Sequence, residues 1–500
     1  MIKLIKKCLI YFTIISFPII QVYADADVVS LFPIEHYDQN ISAWIKPSDP
    51  NYDKPLLSQS IQKQRMKQFY EHTFGEMSPW SATFVNQILQ QTAPYNVKGY
   101  VKNLMDEFNN EGKESNHIGY GENFRPYSSN WMTKIAQNID LDQLDNLTYH
   151  SNNRGIAIDN SYARSLPTND VYFYHHKIPG QGYPFDNLQQ SALWAGTPVY
   201  ILAQSKDGAW LLILTPEYIA WVNSKAIART SNDFVNKWQA AAQNKMAAII
   251  RPDTQILNEK GQFLLTSYPG TVFPATQDKG ALRLLVPVAN TKQHALIKKA
   301  TVTSKQAVMM PLVATPHNFA KVMTNLIGRP YGWGGLYFYN DCSAELKSLF
   351  APFGIWLPRH SSQQIQMGKQ VDLSPLPAKD RLDFLAAQGK PFMTIVYVGG
   401  HVVLYIGTLP NPNNPSMSMV MTYQNIWGLT PRLKDKRDVI GGSVLFPLLL
   451  AYPEDPNLIS QADKPYFQVA YLDQMPNLST DFNRIDFKTL MTSVKKGDNI

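Results

Sequence analysis

Two cysteines in 500 residues leave little room for disulfide chemistry. Cys8 precedes an N-terminal apolar run, so if that segment is removed Cys342 is the single thiol left. A fold held by cystines carries an even set, and this sequence argues against one. Basic stretches interleaved with aromatics are missing too, which argues against nucleic-acid binding. Beyond residue 24 no apolar stretch is long and uncharged enough to span a bilayer. The histidines, including His72, His117 and the pair His175-His176, lack the spacing of metal ligands, so neither a metal nor a cofactor is expected. Disorder is excluded by 44% hydrophobic and 17% charged residues.

What is present begins with a pattern for export. Lys3, Lys6 and Lys7 precede the apolar run Leu9 to Ile20, and Val22-Tyr23-Ala24 offers small residues where a signal peptidase cuts. Residues 1–24 therefore read as a signal peptide, and the mature chain is expected in the periplasm or outside the cell, with no stable membrane insertion. Cys8 lies ahead of the run rather than after it, which argues against a lipoprotein. Removing the segment lowers the formal charge from +7 to +4, a modest surplus suited to an anionic cell envelope. A monomer is expected.

The remainder divides by composition. Residues 25–154 are polar with helical periodicity, one helix opening near Ser60 and another running from Trp80 to Thr92, with residues 46–55 as an extended arm. Residues 155–235 change to short β-branched and aromatic runs, Thr197 to Ala203, Ala209 to Thr215 and Tyr218 to Asn223, broken by Asp207-Gly208 and Pro216-Glu217. Such closely spaced strands predict a small barrel. Residues 245–306 repeat the style without matching residue for residue. Residues 316–475 form a last domain, and 476–500 a polar tail. The fold class is α+β.

Chemistry concentrates in the last domain. Leu346, Leu349, Phe350 and Phe353 recur at helical spacing, and Asp341 is placed to cap that helix, putting Cys342 in its first turn. Unpaired N–H groups and the positive end of the helix dipole favour a thiolate there. A thiol nucleophile needs a base. His401 follows Gly399-Gly400 and opens the strand His401 to Gly407; His317 and His360 are the rivals, and His360 sits in a loop with no strand to fix its ring. An orienting group is needed in turn. Gln424, at the end of a strand read from Met417 to Gln424, is placed to accept from the imidazole.

Asp341-Cys342-Ser343 on a helix, Leu357-Pro358-Arg359-His360-Ser361-Ser362-Gln363 after it, Gly400-His401-Val402 and Asn425-Ile426-Trp427-Gly428 together resemble the NlpC family of cell-wall cysteine peptidases. More narrowly, they resemble its members with two bacterial SH3-like barrels and an N-terminal stabilising region. The resemblance implies a papain-like core that hydrolyses the bond between γ-D-glutamate and a diamino acid in peptidoglycan stem peptides or their fragments. By position it makes Cys342 the nucleophile and His401 the base. Asp341 and Ser361 become substrate contacts, and Gln424 stands where the family usually has His. Ser343-Ala344 replaces the commoner Ser-Gly. The first barrel commonly lends the cleft an aromatic or acidic residue, for which Tyr218 and Glu217 are the candidates. The competing expectations are a cell-wall binding protein with a decayed peptidase domain, and a papain-like amidase or acyltransferase.

Overall fold

The computed structural model describes residues 28–278, 280–411 and 414–476. The expected signal peptide, residues 1–24, and the residues beyond 476 lie outside them. Four helices dominate the N-terminal region: Gln59–Thr73, Ala82–Leu89, Val97–Phe108 and Ser129–Ile139. Ser58, Ser81 and Asn96 each accept a backbone N–H of the following first turn, worth about 1 kcal/mol per cap. The inward faces of the second and third helices carry Phe84, Val85, Tyr100, Val101 and Leu104, which pack on Trp210, Leu212 and Trp221 of the first β-unit. Residues 46–55 form successive turns rather than an extended arm, because Asp49 and Asn51 close local hydrogen bonds.

Each β-unit is a seven-stranded sheet. The first runs Gln189–Leu193, Ser161–Arg164, Ile219–Asn223, Trp210–Leu214, Pro198–Gln204, Arg154–Ala157 and Ile227–Arg229 in spatial order. The second runs Phe263–Ser267, Thr254–Asn258, Ala295–Thr303, Ala281–Ala289, Val272–Asp278, Met246–Ile249 and Ala307–Met309. Between them stands the helix Asn232–Asn244, capped by Ser231 and burying Phe234, Val235 and Trp238. Sequence reading missed that helix. It also missed the strands Thr254–Asn258 and Phe263–Ser267.

The third sheet belongs to the last domain, in the order Val29–Leu31, Arg437–Leu448, Asn414–Leu429, Val402–Asn411, Thr394–Tyr397, Gln468–Tyr471 and Lys369–Asp372. Its first strand comes from the N-terminal region and pairs in parallel with Arg437 to Val439. The helix Cys342–Phe350 lies on one face, with Leu346, Leu349 and Phe350 packed on Val402, Leu404, Tyr423 and Leu445. Each of those three side chains is fully buried, worth about 1.5–3 kcal/mol apiece. Arg65 clamps the N-terminal region to this domain: it is 1% exposed and donates to the carbonyls of Met367, Leu472 and Gln474. No helix among the described residues is long and apolar enough to cross a membrane.

Candidate active site

Asp341 caps the helix Cys342–Phe350, its carboxylate accepting from Ala344 N–H at 3.0 Å. The same carboxylate is gripped from the other side by Arg359, through Nη1 to Oδ1 at 3.0 Å and Nη2 to Oδ2. Ser343 Oγ donates to Asp341 at 3.2 Å and accepts from Arg359 at 2.7 Å. Burial works against the charge of Asp341, but Arg359 and these donors hold its carboxyl below the usual range. Arg359 also donates Nε–H to Ser191 Oγ of the first β-unit at 2.9 Å. Sequence reading quoted Arg359 only as part of a motif; its role as the partner of Asp341 depends on chain folding.

Cys342 is the first residue of the helix and 6% exposed. Burial, then the negative charge of Asp341, pushes its thiol up to about 12, against the Val402 N–H, Arg359 and the Ser343 N–H. The expectation of a favoured thiolate is therefore corrected: water is excluded from the first turn, and desolvation of sulfur outweighs the helix dipole. The Val402 N–H that reaches the sulfur belongs to the residue after His401. This brings the nucleophile candidate to the head of the strand Val402–Asn411.

His401 sits in the turn before that strand rather than as its first residue, behind Gly399 and Gly400 at φ 56° and 85°. Glycine reaches such left-handed angles without the steric cost other residues carry. Its Nε2 lies 2.8 Å from Gln424 Oε1. The Gln424 NH2 group is spent on Thr422 Oγ1 at 3.0 Å and Gln461 Oε1 at 3.2 Å, and Gln461 Nε2 donates back to Gln424 Oε1 at 3.0 Å. Oε1 therefore faces the ring, which fixes the proton on Nε2 and leaves Nδ1 as the basic atom. Burial pushes His401 down to about 4, against the Gln424 hydrogen bond. At neutral pH the thiol and the imidazole thus both rest uncharged. Gln424 lies inside the strand Asn414–Leu429, not at its end, and Gln461, its second partner, was not legible in the sequence.

Ser361 Oγ donates to the carbonyl of Gly400 at 3.3 Å, beside His401. His360 is pushed down to about 3 by burial and then by Arg359, and its Nε2 has no hydrogen-bond partner among the described residues. His317 pairs with Asp53 at 3.0 Å and stacks on Tyr52. Neither rival is oriented as His401 is. Burial, then the charges of Cys342 and Asp341, raises the Tyr331 phenol well above the ordinary value.

Glu217 and Tyr218 stand beside Arg359: Tyr218 bonds to Ser191, the acceptor of Arg359, and the Arg359 charge acts on its phenol. Glu217 pairs with Lys347, and both candidates line a cavity of about 110 Å³ with Arg359, Trp194, Trp356 and Ala344, which Cys342 does not line. Ala344, Lys347 and Ser348 lie along one helical face, and this face is turned away from the one carrying Leu346 and Leu349. The first β-unit also approaches the site with Phe185, 3% exposed and packed edge-on against Trp333 and Trp427 at 5.1 and 5.3 Å. Trp427 in turn lies beside Tyr331. No group of metal-binding side chains occurs among the described residues.

Comparison with known proteins agrees with this layout. Residues 172–223 match the SH3 domain (SH3b1 type), residues 231–276 the SH3 domain of SH3b2 type, and residues 328–419 the NlpC/P60 family. A γ-D-glutamyl-L-lysine dipeptidyl-peptidase of Bacillus subtilis (strain 168) is 26% identical over 44% of this chain and 73% of its own length. A protein of the same name from Bacillus cereus (strain ATCC 10987 / NRS 248) is 27% identical over 40% of this chain and 60% of its own length. The solved structure of a novel NlpC/P60 endopeptidase from Photobacterium damselae subsp. piscicida covers 89% of this chain and 99% of that one, at 27% identity and a TM-score of 0.74.

Proposed function

From a chain built of an SH3b1-type domain, an SH3b2-type domain and an NlpC/P60 peptidase domain, we propose a cysteine peptidase that hydrolyses the γ-D-glutamyl to diamino acid bond of peptidoglycan stem peptides. One observation carries the cysteine part of this reading. Cys342 in a helix's first turn meets the Val402 N–H, and the neighbouring His401 is oriented by Gln424 at 2.8 Å. The bond specificity rests on likeness to the two Bacillus relatives. Export to the cell envelope rests on the N-terminal sequence pattern.

In the proposed mechanism substrate binding brings the acyl carbon to the sulfur. His401 Nδ1 takes the thiol proton as the S–C bond forms, so the neutral resting pair becomes charged only in the reacting complex. The imidazolium is stabilised by Gln424 Oε1, which keeps accepting from Nε2. The oxyanion is held by the Cys342 N–H, with the Tyr331 phenol as a second donor of suitable chemistry. Collapse expels the amine, which takes the proton from His401. Water then attacks the thioester with His401 as base, releasing the acid and the thiol.

The test is digestion of a stem tripeptide by the purified protein and by Cys342→Ala, with products weighed by mass spectrometry. A new amino end on the diamino acid, lost by several orders of magnitude in the variant, is the expected result. Unchanged turnover in Cys342→Ala would refute cysteine catalysis. Cleavage at another amide would mark an amidase, and binding without cleavage a decayed peptidase.

A further inference from the structure

Glu345 is a buried acid for which the mechanism above has no use. It lies one turn after Cys342 on the same helix, is fully buried, and has Leu346, Leu349 and Phe350 as inward-facing neighbours. An apolar residue would satisfy that position, since an uncompensated carboxyl there costs several kcal/mol. Three donors meet it instead. Its Oε2 accepts from Asn340 Nδ2 at 2.8 Å, and its Oε1 accepts from Ser443 Oγ at 2.8 Å and from the Tyr423 phenol.

These partners bracket the reacting groups. Asn340 is two residues before Cys342, and its carbonyl accepts from Asn425 Nδ2 at 2.8 Å. Tyr423 and Asn425 flank Gln424 on the strand Asn414–Leu429. Side chains alternate along a strand: Tyr423 packs in the cluster that holds Cys342 and Leu346, whereas Val444, paired with Gln424 in the ladder register, packs with Ile426 in a separate cluster on the sheet's other face. One strand therefore holds the thiol helix with one face and the imidazole with the other. We propose that Glu345 is a positioning residue that sets Cys342 against His401, by tying the first turn of the helix to the strand that carries Gln424. This rests on the reading of Cys342 and His401 as the reacting pair.

The electrostatic setting agrees. Burial raises the Glu345 carboxyl above its ordinary range, opposed by Tyr423, Asn340, Ser443 and, as the cation acting on it, Arg329. No ion pair to Glu345 forms among the described residues. Glu345→Gln therefore keeps shape and most acceptor bonds, while Glu345→Leu keeps bulk and loses all of them.

Two readouts test the proposal: kcat and KM on the stem tripeptide, and the pH profile of Cys342 alkylation by iodoacetamide in the absence of substrate. Glu345→Leu is expected to lose about a hundredfold in kcat, the scale of an ångström of misplacement, with KM within threefold and an altered alkylation profile. Glu345→Gln should recover most of both. Tyr423→Phe, which removes one hydroxyl, should lose about fivefold in kcat and serves where Glu345→Leu does not fold. Wild-type kcat and alkylation profile in folded Glu345→Leu, or in Tyr423→Phe if the former is insoluble, would overturn the role. Alkylation needs no peptide, so a mistaken scissile bond leaves that arm intact. Turnover surviving in Cys342→Ala would instead sink the nucleophile reading.

Discussion

The two SH3-type units share an architecture and differ in how they meet the last domain. The first is bonded into the site by polar groups. Ser191 accepts from Arg359, Gln189 Nε2 donates to the Gly334 carbonyl at 2.9 Å, and Trp333 Nε1 donates to the Asp186 carbonyl at 3.1 Å. Gly334 and Gly335 are at φ 56° and 82°, and a Cβ on either would lie 2.6 Å from backbone of the first unit. The second unit approaches by close packing: Gly270 abuts Ser348, and its interior merges with Phe74, Trp238 and Ala351. Its outer surface leaves Phe263 59% and Leu296 46% exposed. Directional bonds fix orientation, whereas apolar packing mainly supplies cohesion. The first unit therefore belongs to the candidate site and the second to its support.

Arg359→Ala should break the comparison hardest. It frees the first unit from Asp341 and leaves a buried carboxylate unpaired, which costs about 3–5 kcal/mol. Turnover is expected to fall at least a hundredfold with a lower melting temperature, and Arg359→Lys to recover only part, because lysine lacks the planar fork. An Arg359→Ala protein with normal turnover would remove the first unit from the site.

Acid should loosen the same region next. His401, His360 and His72 are pushed down to about 4, 3 and 4, in each case mainly by burial. All three are neutral in the fold and bind protons on unfolding, so their contribution is intact above about pH 6.5 and declines as pH falls toward 4, by at most about 1.4 kcal/mol per unit for each. Asp341, held low by Arg359 against its burial, adds to the loss further down. Hydrogen exchange at pH 5 should rise around residues 340–361 before it rises in the second unit. A uniform rise would contradict this.

Phe185→Leu is expected to act more gently. Losing two edge-on aromatic contacts costs about 1 kcal/mol and should raise KM a few-fold with kcat nearly unchanged, as read by steady-state kinetics. Phe263→Ser, on the second unit's exposed face, should change stability by less than about 0.5 kcal/mol and leave tripeptide turnover alone. A large kinetic effect there would erase the distinction between the units.

Much of the candidate site was legible because its signals are local. A cap is a three-residue relation, so Asp341 and Cys342 could be set at a helix start from sequence. Gly399-Gly400 before an apolar run marks a turn into a strand, which singled out His401. Arg359, Gln461 and Glu345 escaped because their meaning lies in partners distant in the chain: Ser191, Gln424 and Tyr423. Glu217 and Tyr218 were named from the sequence, but without their partners Lys347 and Ser191. The place of these two candidates in a hairpin turn was readable, but not which side of the thiol helix that turn would meet.

By itself the sequence determined the α+β class, the two β-rich units and the capped thiol helix, since periodicity and capping act over a few residues. Tertiary structure decided the rest. Burial turned an expected thiolate into a thiol at about 12, and the strand Val29–Leu31 joined a partner some 400 residues away. One strand came to hold the thiol helix on one face and the imidazole on the other. These outcomes follow from water exclusion and from contacts between distant segments, which only the folded chain brings together.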